Sequence, residues 1–384
     1  MAVSRNDPNT VKYAKYLSWI FLITILSIFL SGRIEFWMPD YSHMDMVKYK
    51  TMSEASPGLS SETIQPFSFR ILAPWIAGLL PFKTELSFYL LTVIALLYIT
   101  YLFFNFLIQH DLEYRIAFGL TACFVFNRYF FQFFAWNYFH LTDLLSLITI
   151  MLFLLSLFNK RWITLLIVSV IGILTKETIL LLIPIGYLYL IFSKATSKNF
   201  GLFTVVSFLM VAVFIILRLL IKTTGGEDLF TQFYTGLSYY FNFESVGKKF
   251  IAAFIPFGLV PFIFFKETRM FFKKYGHYMF LLIGVFIASF FGEAERLMLP
   301  FAPVYFVLIG FIIQQYLTES VNKRLLRKFL IYLMILSFLS SYYHLWGLFK
   351  LPSSSISTLT TFLLSIVTAY YFWRLKSLKI KKPA

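Results

Sequence analysis

Charge is what this sequence has least of: 14% of its 384 residues are Asp, Glu, Lys or Arg, against about 25% in an ordinary globular chain. With 59% hydrophobic and 21% aromatic residues, a soluble fold could not hide the apolar surface. Apolar runs of roughly 18 residues or more recur, each long enough to cross a hydrocarbon core of about 30 Å as a helix. Cysteine is nearly absent: Cys123 stands alone, which excludes an intrachain disulfide and any CxxC or Cys/His zinc pattern. It reads as a buried small apolar residue. Acidic residues are the scarcer charge, 18 against 34 basic, for a net charge of +16. That excess could suggest nucleic acid, but the cations lie in short loops between apolar runs, the arrangement that orients a chain in a membrane. No nucleic-acid partner is expected. There is no solenoid-type repeat, no low-complexity tract, no linker long enough to set off a soluble domain, and no clear cleavage site after the first apolar run.

The expected fold class is therefore all-α: one integral membrane domain over 1–384 with about twelve spans. They fall at 15–32, 86–108, 114–127, 141–158, 162–174, 178–193, 201–221, 251–265, 278–291, 298–316, 329–347 and 357–373. An even number puts both termini on one side, and the loop charges choose that side as cytoplasmic. Lys12, Lys15, Arg115, Lys160, Arg161, Lys194, Lys198, Lys266, Lys273, Arg324, Arg327 and the basic tail from Arg374 all fall inside. The acids Asp40, Asp45, Glu54, Glu62, Glu177, Glu227, Asp228, Glu244, Glu293 and Glu295 fall outside. Two larger outer segments, 33–85 and 222–250, interrupt otherwise short connections, so chemistry is expected on the non-cytoplasmic face. Within the first, Ile71 to Leu80 is too short to span and suits an interfacial helix.

The first outer loop places Asp40, His43, Asp45 and Tyr49 near the mouth of the first span. Asp45 and Tyr49 are four apart and would share a helical face. A carboxylate just above a membrane can accept the proton of an acceptor hydroxyl as it attacks an anomeric carbon; a solvated loop acid is the plainer reading. In Pro66-Phe-Ser-Phe-Arg-Ile-Leu-Ala-Pro74, Arg70 offers a donor fork matched to phosphate, or else anchors its helix at lipid headgroups. His140 and Asp143 enter the outer end of the fourth span, where an acid is costly unless paired or wet. A structural hydrogen bond between them is favoured over metal binding, for want of a third ligand. Lys176 and Glu177 form a very short outer turn and, as chain neighbours, need not face each other. Glu293, Glu295 and Arg296 open the tenth span. Acids suit a helix N-terminus, but Arg296 opposes the dipole and so points to an anionic partner, the glutamates or a phosphate. Arg218, near the outer end of the seventh span, is assigned to snorkelling.

Arg70, Lys176 and Arg296 thus come from distant loops yet fall on one side with Asp45. Cations that hold a leaving phosphate, beside an acid that activates a nucleophile, suit a substrate with a lipid tail, a phosphate and a transferable group. The set Asp-x-x-x-Tyr at Asp45 and Tyr49, Phe-x-Phe-Arg-x-Leu-x-Pro, the Lys-Glu loop and Glu-x-x-Arg-x-x-x-Pro resembles GT-C glycosyltransferases, a superfamily that includes protein O-mannosyltransferases and bacterial aminoarabinose transferases. The likeness covers the N-terminal half and the 293–303 region. It implies an inverting transfer from a polyprenyl-phosphate sugar to a lipid, glycan or protein acceptor in a bacterial inner membrane. Asp45 would be the base, Arg70, Lys176 and Arg296 the phosphate contacts, and Asp40, His43, Tyr49, His140, Asp143, Glu177 and Glu293 their support. The first loop lacks the adjacent acids of better-known members, and no large soluble C-terminal domain follows. No cofactor is called for, with a divalent cation left open. An O-antigen-type polymerase and a non-enzymatic lipid or solute transporter are the competing readings; the longest loop being the first tells against the polymerase. A transporter should carry charges and helix breaks near the bilayer midplane.

Overall fold

The computed structural model describes residues 8–31, 45–221, 225, 234–235, 253–291, 294–341 and 354–379. Every regular element among them is helical. The N-terminal part runs through α1 (Pro8–Ser31), α2 (Asp45–Glu54), α3 (Leu72–Leu79), α4 (Thr84–Gln109) and α5 (Tyr114–Val125). It continues through α6 (Phe133–Trp136), α7 (Leu141–Phe158), α8 (Trp162–Thr175), α9 (Leu182–Phe192) and α10 (Ser197–Leu220). After it come α11 (Val260–Ile263), α12 (Phe265–Lys274), α13 (His277–Ala288), α14 (Ala294–Leu297), α15 (Ala302–Tyr316), α16 (Glu319–Ser340) and α17 (Ser354–Lys379).

Among the described residues, five helical stretches are long and apolar enough to cross a membrane: Val11–Leu30, Thr84–Gln109, Tyr138–Phe158, Ser197–Leu220 and Leu299–Tyr316. Four more apolar helices, Tyr114–Val125, Trp162–Thr175, Glu177–Phe192 and His277–Ala288, are shorter. The architecture is that of an all-α membrane protein. Central and peripheral helices differ in composition of contact. In the windows of α7 and α15, 78% of residues are buried, against 22% in α1 and α10. The peripheral pair therefore turns apolar side chains outward, among them Phe29 on α1 and Phe208, Ile215 and Leu219 on α10, the surface that a lipid solvent accepts. Cys123 is fully buried, as expected of a small apolar residue.

The expected span at 251–265 is not a continuous helix. Ala253 is helical, Phe254 to Leu259 form turns, and the helix that follows, α11, is a single turn. Pro256 and Pro261 supply no N–H and Gly258 resists helix, so three breakers within six residues defeat the apolar run. Side chains tie the broken stretch down instead. Asn127 Nδ2 donates to the Ile255 carbonyl at 2.8 Å, and Tyr305 Oη donates to the Phe257 carbonyl at 2.9 Å. Asn127 also accepts from the backbone N–H groups of Tyr129 and Phe130, capping the π-type turn Arg128–Gln132.

The expected helix over Ile71–Leu80 is present as α3, with Pro74 in its first turn, where its missing N–H costs nothing. It packs on α2 through an unusually close approach at Gly78. A Cβ there would lie 2.0 Å from the Ser53 carbonyl oxygen. Ser53 Oγ donates to the Pro74 carbonyl at 2.8 Å and Ser56 Oγ to that of Trp75 at 3.0 Å, while Lys50 Nζ reaches Glu85 at 3.0 Å on α4. These contacts fix α2, and with it Asp45, against the bundle.

Candidate active site

Asp143 sits in the first turn of α7, buried to 6% exposure. An isolated carboxylate there would carry a desolvation cost of several kcal/mol. The chain meets it with two cations from distant segments. Lys176 Nζ, on the connection after α8, donates to Asp143 Oδ1, and Arg296 Nε, on α14, forms an ion pair with Oδ2 at 3.3 Å. The helix N-terminus adds its own favourable field.

Arg296 also bridges to the first residue of α2: its second nitrogen donates to Asp45 Oδ2 at 3.3 Å and to His140 Nδ1 at 3.2 Å. A guanidinium can only donate, so Nδ1 of His140 is the accepting nitrogen and its proton resides on Nε2. His140 is therefore a neutral ring here, stacked on Phe133 at 4.9 Å between centroids. The hydrogen bond expected between His140 and Asp143 does not form. Their nearest atoms are 3.7 Å apart, beyond hydrogen-bond reach, because Arg296 and Lys176 take up the carboxylate instead. Asp45 is left with one exposed flank: its side chain is 18% accessible, and Lys48 approaches it at 3.8 Å from the next turn.

Beside this cluster Arg70 and Glu177 form a two-point pair, with Arg70 Nε donating to Oε2 at 3.2 Å and the terminal nitrogen to Oε1. Burial works against the Arg70 charge, but Glu177, Tyr49 and Asp143 together hold the guanidinium pKa above its ordinary value. Arg70 is thus a buried ion-pair partner, 9% exposed. Lys176 and Glu177, adjacent in sequence, point to different partners. Lys176 has an extended backbone (φ −165, ψ 139) before the 3-10 turn Glu177–Leu181, which turns the two side chains apart. Tyr49 lies on the buried face of α2 against Phe67 and Phe88. Burial pushes its phenol up to about 12, so it neither gives nor takes a proton near neutrality.

The structure therefore gathers Asp45, His140, Asp143, Lys176 and Arg296 into one cluster, with Arg70, Glu177 and Tyr49 alongside. Asp40, His43 and Glu293, and most of 222–250, lie outside the described residues, as does the side chain of Glu295. Arg296 does find anionic partners, the carboxylates of Asp45 and Asp143 from two other segments. Two participants were not legible beforehand: Lys48 beside Asp45, and Ser146, whose hydroxyl meets that of Thr178 at 3.0 Å. A shallow recess between Asp143, Lys176, Thr178, Arg296 and Pro300 opens onto the cluster. The described residues do not make a divalent-cation site. Among those described no three His, Cys, Asp or Glu side chains converge as ligands, and the Arg296 guanidinium fills the space between Asp45 and Asp143. Chemically, the cluster leaves the Asp45 carboxylate partly exposed while keeping several fixed cations within reach of an anion. No family model, curated protein or solved structure matches this chain.

Proposed function

We propose that this chain is a membrane-embedded glycosyltransferase that moves a sugar from a polyprenyl-phosphate-linked donor to an acceptor at the non-cytoplasmic face. The single observation that carries the proposal is the convergence, from four separate segments, of the partly exposed Asp45 with the cations Arg296 and Lys176 around a buried Asp143. In this reading Asp45 accepts the proton of an acceptor hydroxyl while that oxygen attacks the anomeric carbon. The bond from that carbon to the phosphate oxygen breaks with inversion, and the electron pair leaves on the lipid phosphate. Arg296, already between Asp45 and the recess, is positioned to follow the growing negative charge, with Lys176 behind it. His140, neutral and without a proton on Nδ1, holds the guanidinium in place. Asp143 keeps both cations oriented when no substrate is bound.

An outward, non-cytoplasmic orientation of the cluster belongs to the same proposal. It is supported by the charged cluster lying at one end of the bundle, where α7 begins and α8 and α10 finish. The same placement favours an enzyme over a transporter, which needs its charges near the midplane. The test is transfer of radiolabelled sugar from a panel of polyprenyl-phosphate donors in reconstituted membranes containing lipid, glycan and peptide acceptors. Incorporation by the wild type is expected, and incorporation from no donor into any acceptor contradicts the proposal.

A further inference from the structure

The cations of the cluster are already committed: Arg70 to Glu177, Lys176 to Asp143, and Arg296 to Asp45 and Asp143. With Lys48 beside Asp45, four cations face the carboxylates of Asp45, Asp143 and Glu177, and each of the four already stands within 4 Å of one of them. Arg218 is different. It lies in the last turn of α10, with its guanidinium carbon 4.3 Å from the ring centroids of both Phe69 and Phe214, and among the described residues it has no hydrogen bond or ion pair. Simple snorkelling would extend this side chain toward water along its own helix. Here a ring from another segment, the 3-10 turn Phe67–Phe69 that precedes Arg70, closes over it.

Two flanking rings fix a guanidinium while leaving its edge N–H groups free to donate, the geometry that recognises a phosphate. The surrounding groove is lined by Phe69, Ile173, Glu177, Phe214, Leu217 and Arg218, and is apolar apart from the two charges. Both oxygens of Glu177 already accept from Arg70, which blunts their repulsion of an anion. Away from the groove, α10 turns Phe208, Val211, Ile215 and Leu219 outward. A cation at the mouth of an apolar groove on a lipid-facing helix matches a ligand with an anionic head and a long apolar chain. We infer that Arg218, clamped between Phe69 and Phe214, binds the phosphate of a polyprenyl phosphate whose chain lies along α10. The site sits next to the Arg70–Glu177 pair, so it delivers the head of the lipid to the cluster. This inference rests on the glycosyltransferase reading for its choice of lipid.

The test measures binding, not turnover. The full-length protein in nanodiscs of zwitterionic lipid is titrated with a C55 polyprenyl phosphate, and bound lipid is counted by native mass spectrometry. Phosphatidylglycerol and inorganic phosphate serve as competitors. Wild type should retain the polyprenyl phosphate against equal amounts of either competitor. Arg218→Gln should weaken it about tenfold, with Arg218→Lys intermediate because an ammonium lacks the planar fork. Phe214→Leu keeps the charge and an apolar side chain, and should weaken binding about threefold through the lost ring contact. Unchanged affinity in Arg218→Gln, no binding to wild type, or equal displacement by phosphatidylglycerol or inorganic phosphate each overturns the site. Sugar transfer that proceeds in wild type alongside unchanged lipid binding in Arg218→Gln removes this site and leaves the transferase reading standing.

Discussion

Two ends of the same helix bundle each bury histidine, and they treat it in opposite ways. At one end His140 accepts from Arg296 and lies within 4 Å of Asp45 and Asp143. At the other, His110 Nδ1 lies 2.7 Å from the Phe106 carbonyl and Nε2 lies 2.7 Å from Tyr278 Oη. A carbonyl can only accept, so His110 carries its proton on Nδ1 and receives the tyrosine hydroxyl on Nε2, with its hydrogen bonding complete. Next to it His277 is walled in by Phe158, Tyr189, Tyr275 and Tyr278, and neither ring nitrogen has a hydrogen-bond partner among the described residues. The aromatic end is a packing solution with nothing placed to act on a substrate. The ionic end is assembled from segments far apart in sequence, around a carboxylate that remains partly exposed. Burial of a titratable side chain does not mark function; what surrounds it does.

The sharpest way to break this comparison is to remove one charge at the ionic end. Asp45→Asn should reduce sugar transfer by about a thousandfold, the scale of general-base catalysis, with the protein still folded and inserted. Retention of even a tenth of the wild-type rate would take the base assignment away from Asp45. Next in size is Asp143→Asn, which strands Lys176 and Arg296 beside a neutral side chain. It should cost about 3–5 kcal/mol of stability, read as the loss in a denaturant or thermal unfolding series. The double variant Asp143→Leu with Lys176→Met should recover part of that loss. A double variant no better than the worse single one would mean that the pair does not act as a unit.

A packing change at the same end should be felt less. Gly78→Ala drives a methyl into the Ser53 carbonyl and must push α2 off α3. About 1–3 kcal/mol of destabilisation is expected, with transfer reduced because Asp45 begins α2; unaltered stability would show that the two helices are not held in register. At the aromatic end, Tyr278→Phe leaves His110 Nε2 without its donor and should cost about 1–2 kcal/mol without altering transfer beyond about twofold. The smallest effect belongs to Tyr49→Phe, where the phenol is buried and neutral, and transfer should stay within about twofold of wild type. A larger loss would give that hydroxyl a part in the chemistry.

Much of this was readable in advance where one physical term dominates. Apolar length set the bounds of α4, α7 and α8 to within a few residues, because few polar groups compete in those runs. Burial of Cys123 followed from its chemistry alone. The run at 251–265 misled because hydropathy is blind to backbone: two prolines and a glycine outweighed its apolar content. Membership of the site was legible for Asp45, Lys176 and Arg296, since each is a charge set against an apolar or dipolar background that demands a partner. Who partners whom was not. Lys176 and Glu177 separate because an extended residue between helix and 3-10 turn reverses the side-chain direction. Asp143 chose Lys176 and Arg296 over its helical neighbour His140 because a fixed cation compensates a buried carboxylate better than a neutral ring. The approach of Phe69 to Arg218 was not legible, since that ring comes from a segment roughly 150 positions earlier in the chain and only the tertiary fold brings the two together.

The most direct test of the central claim, that chemistry resides at the ionic end and packing at the aromatic one, is a side-by-side rate measurement. Wild type, Asp45→Asn and Tyr278→Phe are reconstituted at matched amounts, and release of polyprenyl phosphate from a sugar-loaded donor is followed in the presence of acceptor. Release should be lost in Asp45→Asn and preserved in Tyr278→Phe. Equal rates in wild type and Asp45→Asn, or a comparable loss in Tyr278→Phe, would contradict it.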